Sequence, residues 1–249
     1  MRCMDKSLFR QACDTVINKE RLSSGGIGTL GEKTLHSVLK NYFEPDESCH
    51  EIKIGRYVAD IVTENGIIEI QTRQFNALRQ KLAFFLEQSI VTVVYPVAEI
   101  KWLLWIDEST GEVTKRRKSP KIGKPYEIFY ELYKIRSLLS HPGLRLHIVL
   151  LELEEFRTLN GWSRDKKKGS TRYDRIPVDI LGELNINNIN DYAKLIPEEL
   201  GSRFTVKDFK AASGLSLYTA GLALNVLNTV GAVVRTGKKG NAYVYERAE

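Results

Sequence analysis

The chain has 249 residues, enough for one large hydrophobic core with a smaller companion domain. With 43% hydrophobic and 27% charged residues it is excluded from the disordered and fibrous classes. The 37 Lys and Arg outweigh the 31 Asp and Glu by a formal +6, and they cluster, which points to a polyanionic partner or to a solvated basic surface.

Three cysteines, Cys3, Cys13 and Cys49, are odd in number and lack C-x-x-C spacing, so neither a disulfide framework nor a zinc site is indicated. The start Met1-Arg2-Cys3-Met4-Asp5-Lys6 lacks the apolar run of a signal peptide. No stretch is apolar for long enough to cross a bilayer, and a soluble cytoplasmic protein without membrane contact is expected.

Residues 5 to 22 carry Leu8, Ala12, Val16 and Leu22 among charges and predict a helix that ends at Ser23-Ser24-Gly25-Gly26. A second helix is predicted from Leu35, Val38, Leu39 and Tyr42, stopping before Pro45. Two strands follow at 52 to 63 and 67 to 72, with Asn65-Gly66 as a hairpin loop. Phe75, Leu78, Leu82, Phe85 and Leu86 mark a third helix, and Ile90 to Val97 and Ile100 to Ile106 read as two more strands.

A basic loop from 107 to 126 leads to a helix over Tyr126 to Ser140 and a strand over Arg145 to Leu153. A second basic loop is predicted at 163 to 177, then a polar connector at 183 to 191. Thr205 to Ala212 and Leu217 to Val230 predict two helices joined by Ser213-Gly214, and Val233 to Arg235 with Tyr243 to Tyr245 flank a basic turn. The domains are therefore placed at 1–182 and 192–249.

Gly26-x-Gly28-x-x-Gly31 has the spacing of a dinucleotide fingerprint, but that motif requires a buried strand before it, and Ile17 to Leu22 is charged and helix-like. The glycines are read as a flexible lead-in to the second helix.

Glu32 stands three residues before Leu35 and seven before Leu39, on the face that otherwise buries apolar groups. It reads either as a first-turn acid facing the helix dipole or as a ligand to a cation. With Asn65-Gly66 as a two-residue loop, paired residues sum to 131, which sets Val62 opposite Glu69 and Asp60 opposite Gln71. Asp60, Glu69 and Gln71 then share one face, with Asp60 and Glu69 diagonal neighbours at roughly 7 to 8 Å. The face is either a polar solvent side or a site where two carboxylates share a metal.

A helix with Glu32, then strands with Asp60 and Glu69-Ile70-Gln71, then a helix and a strand: this order over residues 25 to 106 resembles the PD-(D/E)xK nuclease superfamily. The resemblance implies a restriction-endonuclease-like α/β fold, a mixed sheet flanked by helices. It also implies a Mg2+ or Mn2+ site of Asp60, Glu69 and Glu32, and a role for Gln71 in orienting water. Gln71 stands where the family has lysine, and Ala59 where it has proline. Hard carboxylate ligands and the lack of any ligand pair among His36, His50, His141 and His147 agree with such a metal.

Residues 196 to 249 resemble a winged helix, which implies DNA contacts from Ser216, Tyr218 and Thr219 and phosphate contacts from Lys238 and Lys239. A phosphate clamp is expected from Arg116, Arg117 and Lys118 in one basic loop and from Arg164, Lys166, Lys167, Lys168 and Arg172 in the other. The expected function is a metal-dependent deoxyribonuclease, with DNA as partner and subunit pairing left open. The rival is a nuclease-fold DNA-binding regulator that cuts weakly or not at all.

Overall fold

The computed structural model describes residues 4–24, 34–107, 110–162 and 168–248. Two helices lead, α1 (Lys6–Ser24) and α2 (Thr34–Phe43), followed by strands β1 (His50–Ile54), β2 (Tyr57–Thr63) and β3 (Gly66–Ile70). Next come α3 (Phe75–Leu86), the long β4 (Val91–Ile106), the two-residue β5 (Arg117–Lys118) and the single-turn α4 (Phe129–Leu132). Two 19-residue strands, β6 (Leu144–Trp162) and β7 (Lys168–Ile186), precede the C-terminal part. That part holds β8 (Arg203–Phe204), α5 (Val206–Ser213), α6 (Leu217–Thr229), β9 (Val233–Lys239) and β10 (Ala242–Arg247).

The architecture is mixed α/β. The large sheet has the order β1-β2-β3-β4-β6-β7 with β5 on β4, and a small sheet has the order β8-β10-β9. β3 and β4 run parallel, Ile67 beside Val91 and Ile70 beside Val94, so the chain must cross over between them, and α3 is that crossover. Its buried residues Phe75, Leu78, Leu82, Phe85 and Leu86 form the apolar stripe that the spacing predicts. Burial of Val91, Val93, Val94 and Val97 accounts for the nearly continuous apolar run at the start of β4.

The hairpin register differs from the expectation. Ile61 pairs with Ile68, Val62 with Ile67 and Thr63 with Gly66, so paired numbers sum to 129 and the loop is Glu64-Asn65. Gly66 belongs to the strand because the backbone of Ile90 lies against it: a Cβ there would stand 2.4 Å from the Ile90 carbonyl oxygen, at a φ of +126°. The shift is two residues, which preserves sidedness, and continuing the register puts Asp60 opposite Glu69 instead of diagonal to it.

Other expected boundaries move as well. β4 is one strand where two are predicted, and the helix expected over Tyr126 to Ser140 is α4 between two 3-10 segments, with a break at Ile135 (φ −115°, ψ 20°). The basic stretch after Trp162 is strand from Lys168 onward, and residues 163–167 lie outside the described residues. β7 is last in the sheet order, and an edge strand accommodates both its charges and Pro177.

The chain divides into two compact units, the first comprising Met1–Ile52, Ala98–Gly123 and Val149–Glu183. There α1 and α2 pack together through Phe9 and Tyr42, whose rings meet edge to face at 5.3 Å, and Thr34 donates to the buried Asp174. The second unit comprises Lys53–Val97, Lys124–Ile148 and Leu184–Glu249. The chain re-enters it at Leu184, and the unit also takes in β2, β3 and α3. Within it α5 starts at a capping box formed by Thr205 and Asp208, and Phe209 meets Phe129 of α4 at 6.1 Å. Among the described residues no helix is long and apolar enough to cross a membrane.

The contact at Gly66 yields a test. Gly66→Ala is expected to lower the unfolding free energy by roughly 1 to 3 kcal/mol, read from the urea midpoint, because both the positive φ and the Ile90 carbonyl oppose a side chain. An unchanged midpoint would contradict this backbone geometry.

Candidate active site

Asp60 and Glu69 lie where the β2–β3 ladder gives way, and each carboxylate takes a backbone donor from the other strand. The Ile70 amide donates to Asp60 Oδ2 at 2.7 Å, and the Asp60 amide donates to Glu69 Oε1 at 3.3 Å. The two acids are thereby fixed side by side. Asp60 is half-buried and Glu69 is 1% exposed. A carboxylate so deeply buried requires compensation in hydrogen bonds or charge.

The compensating charge is Lys81, whose Nζ lies 2.6 Å from Glu69 Oε2. Sequence reading missed it. It occupies α3 between Leu78 and Phe85, three residues after one and four before the other, so a lysine sits on the apolar stripe. That anomaly was the available signal. Burial, and after it the neighbouring Asp60 charge, push the Glu69 carboxyl up to about 7, against the opposing pull of Lys81.

Gln71 continues the strand, its amide donating to the Val94 carbonyl at 2.9 Å, while its side-chain Nε2 donates to the carbonyl of Arg73 in the turn that follows. The structure therefore engages Gln71 in its own loop, and the ammonium on Glu69 is that of Lys81. Helix α3 begins after Gln74, a non-glycine residue at φ 63°, and its first amide, Phe75, donates to the buried Glu131 at 2.8 Å. Glu131 is also paired with Lys134 at 2.8 Å, so the start of the helix carrying Lys81 is held by a neutralised carboxylate.

Glu32, together with the Gly26-x-Gly28-x-x-Gly31 segment, lies outside the described residues. Asp60 and Glu69 are two oxygen donors suited to a hard divalent cation, and among the described residues no group of three or more His, Cys, Asp or Glu side chains could hold a metal ion.

Residues 33–187 match the family model described as "Domain of unknown function (DUF8091)". The chain belongs to the DUF8091 family. An uncharacterized protein of Treponema pallidum (strain Nichols) is 30% identical over 228 residues, covering 89% of this chain and 87% of that protein. No solved structure matches. The DUF8091 region contains Asp60, Glu69, Gln71 and Lys81 and begins one residue after Glu32.

The residues expected to contact DNA fall in several places. Arg116 lies over the Trp102 ring at 4.3 Å and pairs with Glu154 at 3.3 Å; Arg117 and Lys118 form the exposed β5. Arg172 is on β7, 3.5 Å from Glu155. Arg164, Lys166 and Lys167 lie outside the described residues, and Lys168 opens β7. Ser216 caps α6, accepting from the Thr219 amide at 3.0 Å, so both are engaged in holding the helix start. Tyr218 is 69% exposed beside them. Most of α6 beyond its first turn is buried or half-buried, with only Thr229 exposed at the far end. Lys238 and Lys239 are exposed on β9, Lys238 5.0 Å from the Tyr243 ring centre.

The raised Glu69 value sets a pH dependence. A carboxyl whose folded value lies above its unfolded one, here about 7 against 4.5, stabilises the fold fully below the unfolded value and loses that contribution as pH rises through about 7. Between these limits wild type is expected to lose roughly 1 to 3 kcal/mol relative to Glu69→Gln in urea unfolding. Parallel curves for the two chains would contradict the buried, proton-retaining carboxyl.

Proposed function

We propose that this chain is a Mg2+- or Mn2+-dependent deoxyribonuclease of the restriction-endonuclease-like kind, with a winged-helix module at its C-terminus. The observation that carries the reading is the pair of half-buried Asp60 and buried Glu69 with the Lys81 ammonium 2.6 Å from Glu69. The order of elements around it, an acid on each of two antiparallel strands and then a helical crossover into a parallel strand, supports the same reading.

Asp60 and Glu69 fit a hard divalent cation, since both are carboxylates and both are oriented by backbone amides. Such a cation, when bound, supplies charge to neutralise the phosphate and to acidify a water. Glu69 must shed the proton that its burial favours before it can act as a ligand. Lys81 supplies the positive charge that Gln71 cannot, and holds Glu69 Oε2 while leaving Oε1 toward the Asp60 backbone. Gln71 shapes the turn into α3 and is not the nucleophile's partner. In the C-terminal module the helix pair and the β9–β10 hairpin support DNA contact through the exposed first turn of α6, with Tyr218 foremost, and through Lys238 and Lys239.

Supercoiled plasmid with Mg2+ or Mn2+ is the assay. Wild type is expected to nick or linearise it and to stop in EDTA. Asp60→Asn and Lys81→Met should each lower the rate at least 100-fold with duplex affinity in EDTA unchanged, because these groups act on the reacting phosphate and not on the bulk of the backbone. Gln71→Ala should stay within a few-fold of wild type. DNA binding without cleavage under any divalent cation would replace this reading with that of a DNA-binding regulator.

A further inference from the structure

Glu155, on β6, has a side chain only 2% exposed, and three cations from three neighbouring strands converge on it. Lys101 of β4 lies 3.5 Å from Oε2, Arg172 of β7 lies 3.5 Å from the same oxygen, and Arg157 of β6 holds Oε1 through Nε at 2.7 Å and through a second nitrogen. One countercharge would neutralise a buried carboxylate; this one gathers three. Burial alone would raise the carboxyl, yet Lys101, Arg157 and Arg172 together hold it below the ordinary carboxylate range. The acid stays ionised, with three cationic side chains gathered on it.

The three cationic side chains are 20%, 30% and 35% exposed, so each is held on Glu155 and is still partly accessible to solvent. Two guanidinium forks beside an ammonium match the oxygens of a phosphate. We infer that Lys101, Arg157 and Arg172, organised by Glu155, form a phosphate-binding patch that takes the backbone of a nucleic acid. This inference rests on the nucleic-acid reading above and gives it a site of which the basic runs in the sequence singled out Arg172 alone. The cations are borne on strands and locked in ion pairs, which suits phosphodiesters held in register more than a fluid anionic membrane. The nearby Trp102 is roofed by Arg116 and donates to Glu152 at 2.6 Å, so it is not presented as an interfacial anchor.

The test is binding of a fluorescent 30-base-pair duplex in EDTA, across a range of salt, by wild type, Lys101→Gln, Arg157→Gln and Arg172→Gln. Each single variant leaves two cations on Glu155. Each is expected to weaken binding several-fold for any duplex sequence and to lower the slope of log affinity against log salt by up to about 0.9. Arg157→Lys and Arg172→Lys, which keep the charge and lose the fork, should keep the slope and still weaken binding; they carry the test if a glutamine variant does not fold. Unchanged slope and affinity in all variants of a chain that binds duplex would overturn the patch, as would tighter binding to phosphatidylserine vesicles than to duplex. A wild type that binds duplex but cuts none refutes the nuclease reading and leaves the patch standing. A chain that cuts while every variant binds as wild type refutes the patch alone.

Discussion

Burial of the Glu69 carboxylate is the constraint around which the second unit is built. A charge that is 1% exposed needs donors and a counterion, and the chain supplies them from two directions: the Asp60 amide on β2 and Lys81 from α3. Removing any of these would leave an acid in an apolar surrounding. The same arrangement keeps the carboxyl poised near neutrality, where it can lose the proton that the proposed ligand role would require it to shed.

Helix α3 serves two ends at once. It is the crossover that parallel strands require, and it is the carrier of Lys81. Its first turn is fixed by Glu131 of α4, the helix whose Phe129 meets Phe209 of α5. The acids, α3, α4 and the C-terminal helices are thus joined by direct contacts within one unit. In the other unit Glu155 plays a comparable part, drawing side chains from β4, β6 and β7 to one point on the sheet.

Elements with a strong periodic signal were legible from sequence. The apolar spacing of α2 and α3, the buried start of β4 and the C-terminal helix pair all lie within a few residues of where the pattern places them. The hairpin register was not, because Asn65-Gly66 is the favoured loop dipeptide, while Gly66 is required in the strand by the approach of the Ile90 backbone. The basic stretch from Lys168 reads as a loop by composition, but an edge strand tolerates the same residues. That Asp60 and Glu69 are neighbours was legible because parity puts them on one face in either register. Lys81 was missed because family likeness directs attention to the residue two after Glu69, where Gln71 stands, and away from the one lysine on the apolar stripe of α3. Glu155 could not be read from sequence at all: its partners come from three strands, 54 residues before it to 17 after it.

Asp60 and Glu69 are proposed to hold a divalent cation beside Lys81. Anomalous diffraction from crystals grown with Mn2+ above pH 7 tests it most directly. A manganese peak is expected within bonding distance of both Asp60 and Glu69 oxygens, absent from Asp60→Asn crystals. Crystals saturated with Mn2+ that show no peak at these two carboxylates, with Lys81 still on Glu69, would contradict it.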